Sequence, residues 1–317
     1  MRIGLDLGGS KIEVALLSDA GEFLYRRREA TPQGRYRETL EAVVALIHDA
    51  LQEVSRRTPS GAVRSTIIPV GIGLPGAISH RTGRVKNANS TCLIGKDLQG
   101  DLEEMLGFRV HLANDADCFT LSEAVDGAAF GHRVVMGVIL GTGVGGGIAV
   151  EGRLLQGPNL ITGEWGHNPL PWPRDGERPG PPCYCGKKGC IETFLSGPGL
   201  ENEHQRIAGK RLAAQAIVER AGAGDPLALK VMEEYEDRLA RGLAVVINLL
   251  DPDVIVLGGG LSNIDRLYVN VPAHLPRYVF SDQVETRLVK ARFGDSSGVR
   301  GAAWLGLRGG AGGSGGD

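Results

Sequence analysis

The strongest constraint on the fold is a pattern that occurs twice: an apolar segment, a glycine-rich turn and a second apolar segment. It occurs at residues 2–17, around the letters DLGGSK, and again at residues 134–150, around LGTGVGGG. Short apolar runs bounded by glycine are typical of buried strands, so each copy predicts a β-hairpin. The predicted strands are residues 2–7, 12–17, 134–140 and 148–150. The repetition predicts two similar α/β halves, each presenting a glycine-rich turn.

Apolar residues elsewhere alternate between helical spacing and short continuous runs, which predicts an α/β protein. The longest helical pattern spans residues 227–250, and residues 153–189 are rich in proline and glycine and predict an irregular segment. Asn114 and Asp115 lie between a predicted strand and a predicted helix, where ligands gather in open α/β sheets. The other predicted elements are helices at residues 35–54, 97–106, 116–130 and 298–305 and strands at residues 70–74, 109–113 and 254–257. We expect the last helix to pack against the first half.

The composition supports a folded protein and argues against several classes of partner. The 317 residues are 42% hydrophobic and 23% charged, with a formal net charge of -2. This is enough apolar material for two ordinary domains, without the basic surface that nucleic acids require. No apolar run approaches the roughly 20 residues that cross a bilayer, and no signal peptide is predicted, so we expect a cytoplasmic protein with no membrane partner. Residues 309–317 predict a flexible glycine-rich tail.

Both glycine-rich turns are suited to hold the phosphates of a nucleotide. Glycine lets backbone N–H groups approach a phosphate closely, and Ser10, Lys11 and Thr142 add hydrogen-bond donors. Asp6, at the end of the first strand, is suited to hold Mg²⁺, which prefers oxygen ligands. The alternatives are an ordinary hairpin turn for the first segment and a wide β-bulge for the second. A third turn, residues 258–260, is explained equally well by a tight strand-to-helix turn and by a nucleotide contact.

Asp115 is the candidate general base. A carboxylate at a strand end, beside a helix N-terminus, can accept a proton from a bound hydroxyl. The alternative is that Asn114 and Asp115 cap the helix, a position that these residue types prefer. Carboxylates and amides suited to bind sugar hydroxyls occur nearby in the sequence, although surface carboxylates and turn asparagines would give the same pattern. These residues are Glu164, Glu192, Asn87, Asn89 and Asn114.

Three of the five cysteines cluster within eight residues, at Cys183, Cys185 and Cys190. Together with His167, three thiolates and one imidazole would form a closed tetrahedral Zn²⁺ site, which is typical of structural zinc. The alternative is a set of free thiols on a loop.

The motifs occur in the order found in the ROK family of bacterial sugar kinases, which the chain resembles from residue 3 to about residue 307. The shared motifs are DLGGSK, GIGLPG, LANDADC, ILGTGVGGG, GEWGH, CYCGKKGCIE and DPDVIVLGGG. The runs VKNANST, SEAVDGAA, GEWGHNPLPW and GDSSGVRGAAWL resemble the fructokinase (mannofructokinase) branch. GTGVGGG and ITGE are shared with the N-acetylglucosamine kinase branch.

The resemblance implies an actin-like ATPase (ribonuclease H-like) fold of two α/β domains around a cleft. The implied small domain is residues 1–118 plus about 294–308, and the large domain is residues 119–293 with the zinc loop. The implied catalytic base is Asp115. The implied nucleotide-binding residues are Gly4, Leu5, Asp6, Leu7, Gly8, Gly9, Ser10, Lys11, Thr142, Gly143, Val144, Gly145, Gly146, Gly147, Ile148, Ala149, Val150, Gly259 and Gly260. The implied sugar-binding residues are Asn89, Asn114, Asp115, Glu164, His167 and Glu192, and the implied zinc ligands are His167, Cys183, Cys185 and Cys190. His167 would bind zinc through one ring nitrogen and turn its other edge toward the sugar.

The implied reaction is ATP-dependent phosphorylation of the primary hydroxyl of a free hexose, with Mg²⁺ bridging the phosphates and Zn²⁺ in a structural site. D-fructose, giving fructose 6-phosphate, is the favoured acceptor, and mannose is a further one. N-acetylglucosamine kinase and glucokinase activities are alternatives, and a non-catalytic sugar sensor or repressor is a remote one. The resemblance also implies a homodimer.

Overall fold

A computed structural model describes residues 1–58, 68–88 and 90–306 of the protein. These residues form two compact units. Unit 1 holds the described residues of Met1–Asp126, Gln156–Ile161 and Ser296–Asp317, and unit 2 holds Gly127–Leu155 and Thr162–Asp295. The predicted sugar ligand Asn89 and the predicted tail at residues 309–317 lie outside the described residues.

Unit 1 is built on a five-stranded sheet in the order β3-β2-β1-β4-β7. Its strands are β1 (Arg2–Leu7), β2 (Lys11–Leu17), β3 (Phe23–Ala30), β4 (Val70–Leu74) and β7 (His111–Asn114), and β5 (Ala77–Ile78) and β6 (Val85–Lys86) form a separate two-stranded ribbon. β1 runs antiparallel to β2 and parallel to β4, which in turn runs parallel to β7. The first predicted hairpin is therefore present. β3 lacks an apolar pattern because it is an arginine-rich edge strand, and sequence analysis missed it.

Two helices of unit 1 lie between strands of the sheet in the sequence, and a third follows β7. They are α1 (Tyr36–Arg57), α2 (Leu98–Leu106) and α3 (Asp115–Val125). The buried face of α1, which includes Leu40, Val43 and Ile47, packs in one core with the apolar residues of the sheet. α3 ends at Val125 and does not continue to residue 130 as predicted. The predicted domain boundary at residues 118 and 119 would divide α3, all of which belongs to unit 1.

Unit 2 repeats the sheet of unit 1, in the order β10-β9-β8-β11-β12. Its strands are β8 (Val134–Leu140), β9 (Val144–Val150), β10 (Arg153–Leu154), β11 (Val254–Gly258) and β12 (Arg287–Lys290). The second hairpin is present, but its turn is shorter than predicted, because β9 begins at Val144 and contains three glycines. Glycine is tolerated in this strand because Trp165 packs on it: a Cβ atom at Gly146 would lie 2.9 Å from the indole ring.

The helices of unit 2 surround a large apolar core. They are α4 (Ile191–Leu195), α5 (Gly197–Ala208), α6 (Ala214–Gly222), α7 (Pro226–Leu250) and α8 (Leu267–His274). Side-chain caps fix two of their starts: Ser196 accepts from the N–H of Gly199, and Asp225 accepts from the N–H of Leu227. Sequence analysis predicted only α7 among these five helices.

The last helix, α9 (Ser297–Trp304), belongs to unit 1 and packs there on β1 and α3, as predicted from its sequence. Two glycines make this close packing possible. A Cβ atom at Gly4 would lie 2.1 Å from the carbonyl oxygen of Val299, and one at Gly301 would lie 1.6 Å from that of Cys118. Within residues 1–58, 68–88 and 90–306, no helix combines the length and the apolar character that spanning a membrane requires.

Candidate functional site

The turn between β1 and β2 is compact and open to solvent at its tip. The N–H of Gly8 donates to the carbonyl of Lys11 at 2.9 Å, and the hydroxyl of Thr31 donates to the carbonyl of Gly8 at 2.7 Å. Gly9 and Ser10 are exposed. By contrast, Gly4, Leu5 and Leu7 are buried within unit 1, so the predicted phosphate contacts at this end of the chain are accessible at Asp6 and at residues 8–11.

Asp6 brings a carboxylate to the end of β1. Its Oδ2 lies beside the first turn of α9, where a Cβ atom at Gly298 would be 3.1 Å away. Burial, followed by the charges of Asp115 and Glu13, raises the pKa of Asp6 from 3.8 to about 6, although Lys11 and Arg28 act in the opposite direction. The positive charges of the protein do not offset the burial of this carboxylate and its acidic neighbours. A bound cation would stabilise its ionised form, so Asp6 is suited to the predicted role of Mg²⁺ ligand.

The sequence left two roles open for Asn114 and Asp115, a helix cap and a general base. The structure gives the cap to Asn114. Asn114 is the N-cap of α3: its Oδ1 accepts from the N–H of Ala116 at 2.8 Å, and its Nδ2 donates to the carbonyl of Gly76 at 2.7 Å. Asp115 is the first residue of the helix and is exposed, and its Oδ1 also accepts from the N–H of Ala116. The helix N-terminus favours the ionised carboxylate. The cap and an accessible carboxylate therefore coexist at adjacent positions.

Glu192 holds the turn between β8 and β9. Its Oε2 accepts from the N–H of Val144 at 2.9 Å, and a Cβ atom at Gly143 would lie 2.7 Å from the same oxygen. The turn is also joined to α5, because the N–H of Gly197 donates to the carbonyl of Gly141 at 2.8 Å. A predicted sugar ligand thus contacts a predicted phosphate turn directly.

A cavity of about 710 Å³ opens beside this turn, and it lies within unit 2. Thr142 and Gly260, both predicted to contact the nucleotide, line it. Helices α5 and α6 supply most of the rest of its wall, including Pro198, Glu201, Gln215, Val218 and Glu219. Sequence analysis missed these residues, because α5 and α6 were not predicted. The predicted contacts at residues 145–150 lie along β9 and are not among the residues that line the cavity.

The four predicted zinc ligands converge. One ligand atom from each of His167, Cys183, Cys185 and Cys190 lies within 4.8 Å of all the others. The closest pairs are Cys183 Sγ to His167 Nδ1 at 3.5 Å and Cys185 Sγ to Cys190 Sγ at 3.6 Å. Burial, followed by the neighbouring thiols, raises the pKa of Cys190 to about 12. Three thiolates this close repel one another unless a cation lies among them, so the donor set fits Zn²⁺.

The second ring nitrogen of His167 has a partner that the sequence did not reveal. Nε2 lies 2.9 Å from the hydroxyl of Tyr184, and the two rings meet nearly edge to face, at 88°. Partial burial of the phenol, followed by the charges of Glu192, Cys183 and Glu164, raises the pKa of Tyr184 to about 12, although most of the side chain is exposed. The predicted sugar ligands Glu164, His167 and Glu192 therefore share one neighbourhood in unit 2, with Tyr184 in it.

A buried network of charges holds the segment between His167 and Cys183. Glu177 accepts from Arg238 Nε at 2.7 Å and from Arg241 Nη1 and Nη2 at 2.8 and 2.7 Å. Arg241 also donates to the carbonyl of Trp172 at 2.9 Å. Burial alone would raise the pKa of Glu177, but the hydrogen bonds from the two arginines outweigh it and lower the pKa to about 2. Sequence analysis treated this segment as irregular and missed its attachment to α7.

Comparison with known proteins gives full-length matches. Residues 2–308 match the model of the ROK family. The N-acetyl-D-glucosamine kinase of Yersinia pseudotuberculosis serotype O:1b (strain IP 31758) is 39% identical over 311 residues, which cover 97% of this chain and 99% of that protein. The ROK hexokinase from Thermus thermophilus superimposes with a TM-score of 0.82 at 31% identity, covering 96% of this chain and 97% of that one. A ROK family glucokinase from Streptomyces griseus, in complex with glucose and AMPPNP, has a TM-score of 0.73 at 26% identity, covering 96% and 98%.

The repeated sheet, with a glycine-rich turn in each copy, defines an actin-like ATPase fold, as predicted. The chain belongs to the ROK family, which the sequence motifs also predicted. The narrower prediction of a fructokinase is not confirmed, because the curated relatives that match this chain at 38–39% identity are N-acetyl-D-glucosamine kinases.

Proposed function

We propose that this protein is an ATP-dependent kinase that phosphorylates the primary hydroxyl of a free hexose. The observation that carries the proposal is Asp115, an exposed carboxylate at the start of a helix, whose charge reaches the buried carboxylate of Asp6. Full-length similarity to hexose kinases of the same family supports this interpretation.

Asp115 orients the sugar hydroxyl and accepts its proton as the phosphoryl group is transferred. Because the helix N-terminus stabilises its ionised form, Asp115 is charged correctly for this role but is only a weak base. Asp6 would hold Mg²⁺, which supplies positive charge to the ATP phosphates. Within unit 1, the open backbone at residues 8–11 is suited to bind phosphate, and within unit 2, Thr142 and the cavity beside it are suited to bind a nucleotide. Positioning and charge neutralisation account for most of the rate enhancement.

N-acetyl-D-glucosamine is the first acceptor to test. It was an alternative in the sequence analysis, and the 39% identity to N-acetyl-D-glucosamine kinases, over almost the full length of both chains, favours it over fructose. Fructose is the second candidate because the runs VKNANST and GEWGHNPLPW resemble fructokinases. Glu164 and Glu192 bind the sugar in either case, and His167 lies beside them with its ring nitrogens facing Cys183 and Tyr184. The structural zinc site, a homodimer and a cytoplasmic location remain part of the proposal.

The deciding experiment measures kcat/KM for N-acetylglucosamine, fructose, mannose and glucose by ADP release, with product identified by NMR. We expect phosphorylation at carbon 6 and one sugar preferred by about tenfold or more, as a site built for particular hydroxyl or amide groups allows. Absence of hexose-dependent ADP release from protein with full zinc content would favour the non-catalytic sugar sensor.

A further inference from the structure

Tyr184 is a large aromatic residue in an exposed position, in the middle of the zinc loop. It lies between Cys183 and Cys185, and 82% of its surface is accessible. An aromatic ring this exposed contributes little to a core. Its hydroxyl faces the ring of His167, one of the four predicted metal ligands.

The ring is nevertheless fixed in place. Its hydroxyl lies 2.9 Å from His167 Nε2, and the ring centroids are 5.1 Å apart. The backbone on either side forms a tight turn, in which the N–H of Cys183 donates to the carbonyl of Lys187 at 2.8 Å and the N–H of Gly186 donates to the carbonyl of Cys183 at 3.0 Å. An anchored side chain excludes other atoms from the space that it fills, whereas a mobile one would yield.

The chemistry of His167 decides which way the hydrogen bond runs. Its Nδ1 faces the Sγ of Cys183 at 3.5 Å, within the group of metal ligands. With the proposed zinc bound, Nδ1 would have to offer its lone pair to the metal, so Nε2 would carry the proton. Nε2 therefore donates to the hydroxyl oxygen of Tyr184. The hydroxyl proton of Tyr184 then points away from His167, and it can be donated to a ligand beside the acceptor carboxylates of Glu164 and Glu192.

We propose that Tyr184 contacts the acceptor sugar and limits the size of the sugar substituent that fits beside His167. This inference rests on the proposed function, because it places the sugar at His167, Glu164 and Glu192. The ring sets the steric limit, and the hydroxyl adds one hydrogen bond to the sugar. Tyr184 is therefore a specificity-determining residue for hexoses that differ in one substituent.

Glucose and N-acetylglucosamine are a matched pair for the test, since they differ only by a hydroxyl and an acetamido group at one carbon. For Tyr184→Ala we expect the ratio of kcat/KM for N-acetylglucosamine to that for glucose to rise about tenfold, whichever sugar the wild type prefers. For Tyr184→Phe we expect the ratio to stay within about twofold, while KM for both sugars rises about two- to tenfold through loss of one hydrogen bond. Tyr184→Trp should lower the ratio, so the steric limit can be tested even if the alanine variant folds poorly.

Phe280→Ala is the matched control, because Phe280 is 98% exposed and belongs to no part of the site. It should leave the ratio unchanged. Zinc content by metal analysis, together with glucose and N-acetylglucosamine affinity by calorimetry without ATP, separates sugar recognition from damage to the loop. An unchanged ratio in the alanine and tryptophan variants, both with full zinc, would overturn the inference while hexose kinase activity stands. Both the proposed function and this inference would fail only if the wild-type protein phosphorylated no hexose.

Discussion

Asp6 of unit 1 and Ile139 of unit 2 occupy the same place in two sheets of the same topology. Each is the next-to-last residue of the first hairpin strand, and each is in register with a glycine of the adjacent parallel strand, Gly73 and Gly258 respectively. One position holds a carboxylate whose pKa is raised to about 6, and the other holds an aliphatic side chain. Both sheets have a glycine-rich turn after this strand, but only unit 1 has a carboxylate at the matching position.

Unit 2 has a sheet with the same strand order, but different side chains surround its turn. Its turn is held by Glu192, its cavity is walled by α5 and α6, and its long loop carries the metal ligands. A catalytic carboxylate has to be placed once, beside the hydroxyl that reacts, whereas backbone N–H groups can bind phosphate at both turns. In the proposed function, unit 1 therefore supplies the acid–base chemistry, and unit 2 supplies nucleoside binding and sugar selection.

The largest expected effect follows from replacing Asp115, the proposed catalytic carboxylate of unit 1. Asp115→Asn should lower kcat by about 10³-fold or more, because it removes the base from the reaction and leaves the binding groups in place. KM for the sugar should change much less, since an amide can still accept a hydrogen bond. Steady-state kinetics and thermal melting of the same preparation measure both. Asp117→Asn, two residues further along α3, is the control, and a similar loss in that variant would contradict the assignment of Asp115.

The next largest effect concerns the metal loop of unit 2. Cys185→Ser should remove zinc and lower the melting temperature by about 10 °C, because metal ligation stabilises the folded loop. Metal analysis and calorimetry measure the two outcomes. Cys92→Ser, in unit 1 and outside the cluster, should change neither. Full zinc content in the Cys185 variant would show that the cluster is not the metal site.

A smaller effect compares buried charges in the two units. Glu177→Gln breaks pairs with Arg238 and Arg241, which are almost fully buried, and should cost about 3 kcal/mol. Glu13→Gln breaks pairs with Arg26 and Arg28, whose side chains are 40% and 42% exposed, and should cost about 1 kcal/mol. Urea denaturation monitored by tryptophan fluorescence measures both.

The pH dependence of Glu177 sharpens the same comparison. Its pKa is lowered to about 2 from 4.5, so its ion pairs are fully present above about pH 5 and are lost as the pH falls toward 2. The difference in stability between wild type and Glu177→Gln should therefore shrink over that range. A difference that stays constant down to pH 2 would mean that packing, and not charge, accounts for the loss.

Sequence alone predicted the parts of the molecule that leave a local pattern. The two hairpins, α7 and α9 follow from apolar spacing, and the meeting of three cysteines in one cluster follows from their spacing in the sequence. Pairings between residues distant in the sequence leave no such pattern. Glu177 meets Arg238 and Arg241 across 61 and 64 residues, and nothing in the sequence around Glu177 marks it as buried.

The site residues divide in the same way. Asp115 was singled out because it lies at a strand end, but its role as N1 of α3, with Asn114 as the cap, depends on backbone geometry. In the sequence, Tyr184 is only a residue within a cysteine motif. Its contact with His167 could not be predicted, because it forms only when the loop folds. Gln215 and Glu219 line the cavity through α6, whose 9 residues are too few to show a sustained helical repeat in the sequence.

The last expected effect returns to Asp6, and it has the opposite sign to the others. Because the pKa of Asp6 is raised from 3.8 to about 6, the folded protein holds this proton more tightly than the unfolded chain does. Ionisation of Asp6 therefore lowers the free energy of unfolding as the pH rises from about 4 to about 6, and the full cost remains above that range. Without Mg²⁺, Asp6→Asn should stabilise the protein by about 1 to 2 kcal/mol at pH 7 and by much less at pH 4.

Urea denaturation in EDTA at the two pH values measures this gain, and Ile139→Val, at the matching position of unit 2, should leave the pH dependence as in the wild type. Adding Mg²⁺ and ATP should stabilise the wild type more than Asp6→Asn, because a bound cation favours the ionised carboxylate and an amide is a poorer ligand. A gain of the same size at both pH values would mean that the variant repacks around α9. The carboxylate at residue 6 would then be an ordinary part of the core, and the contrast with Ile139 would carry no functional meaning.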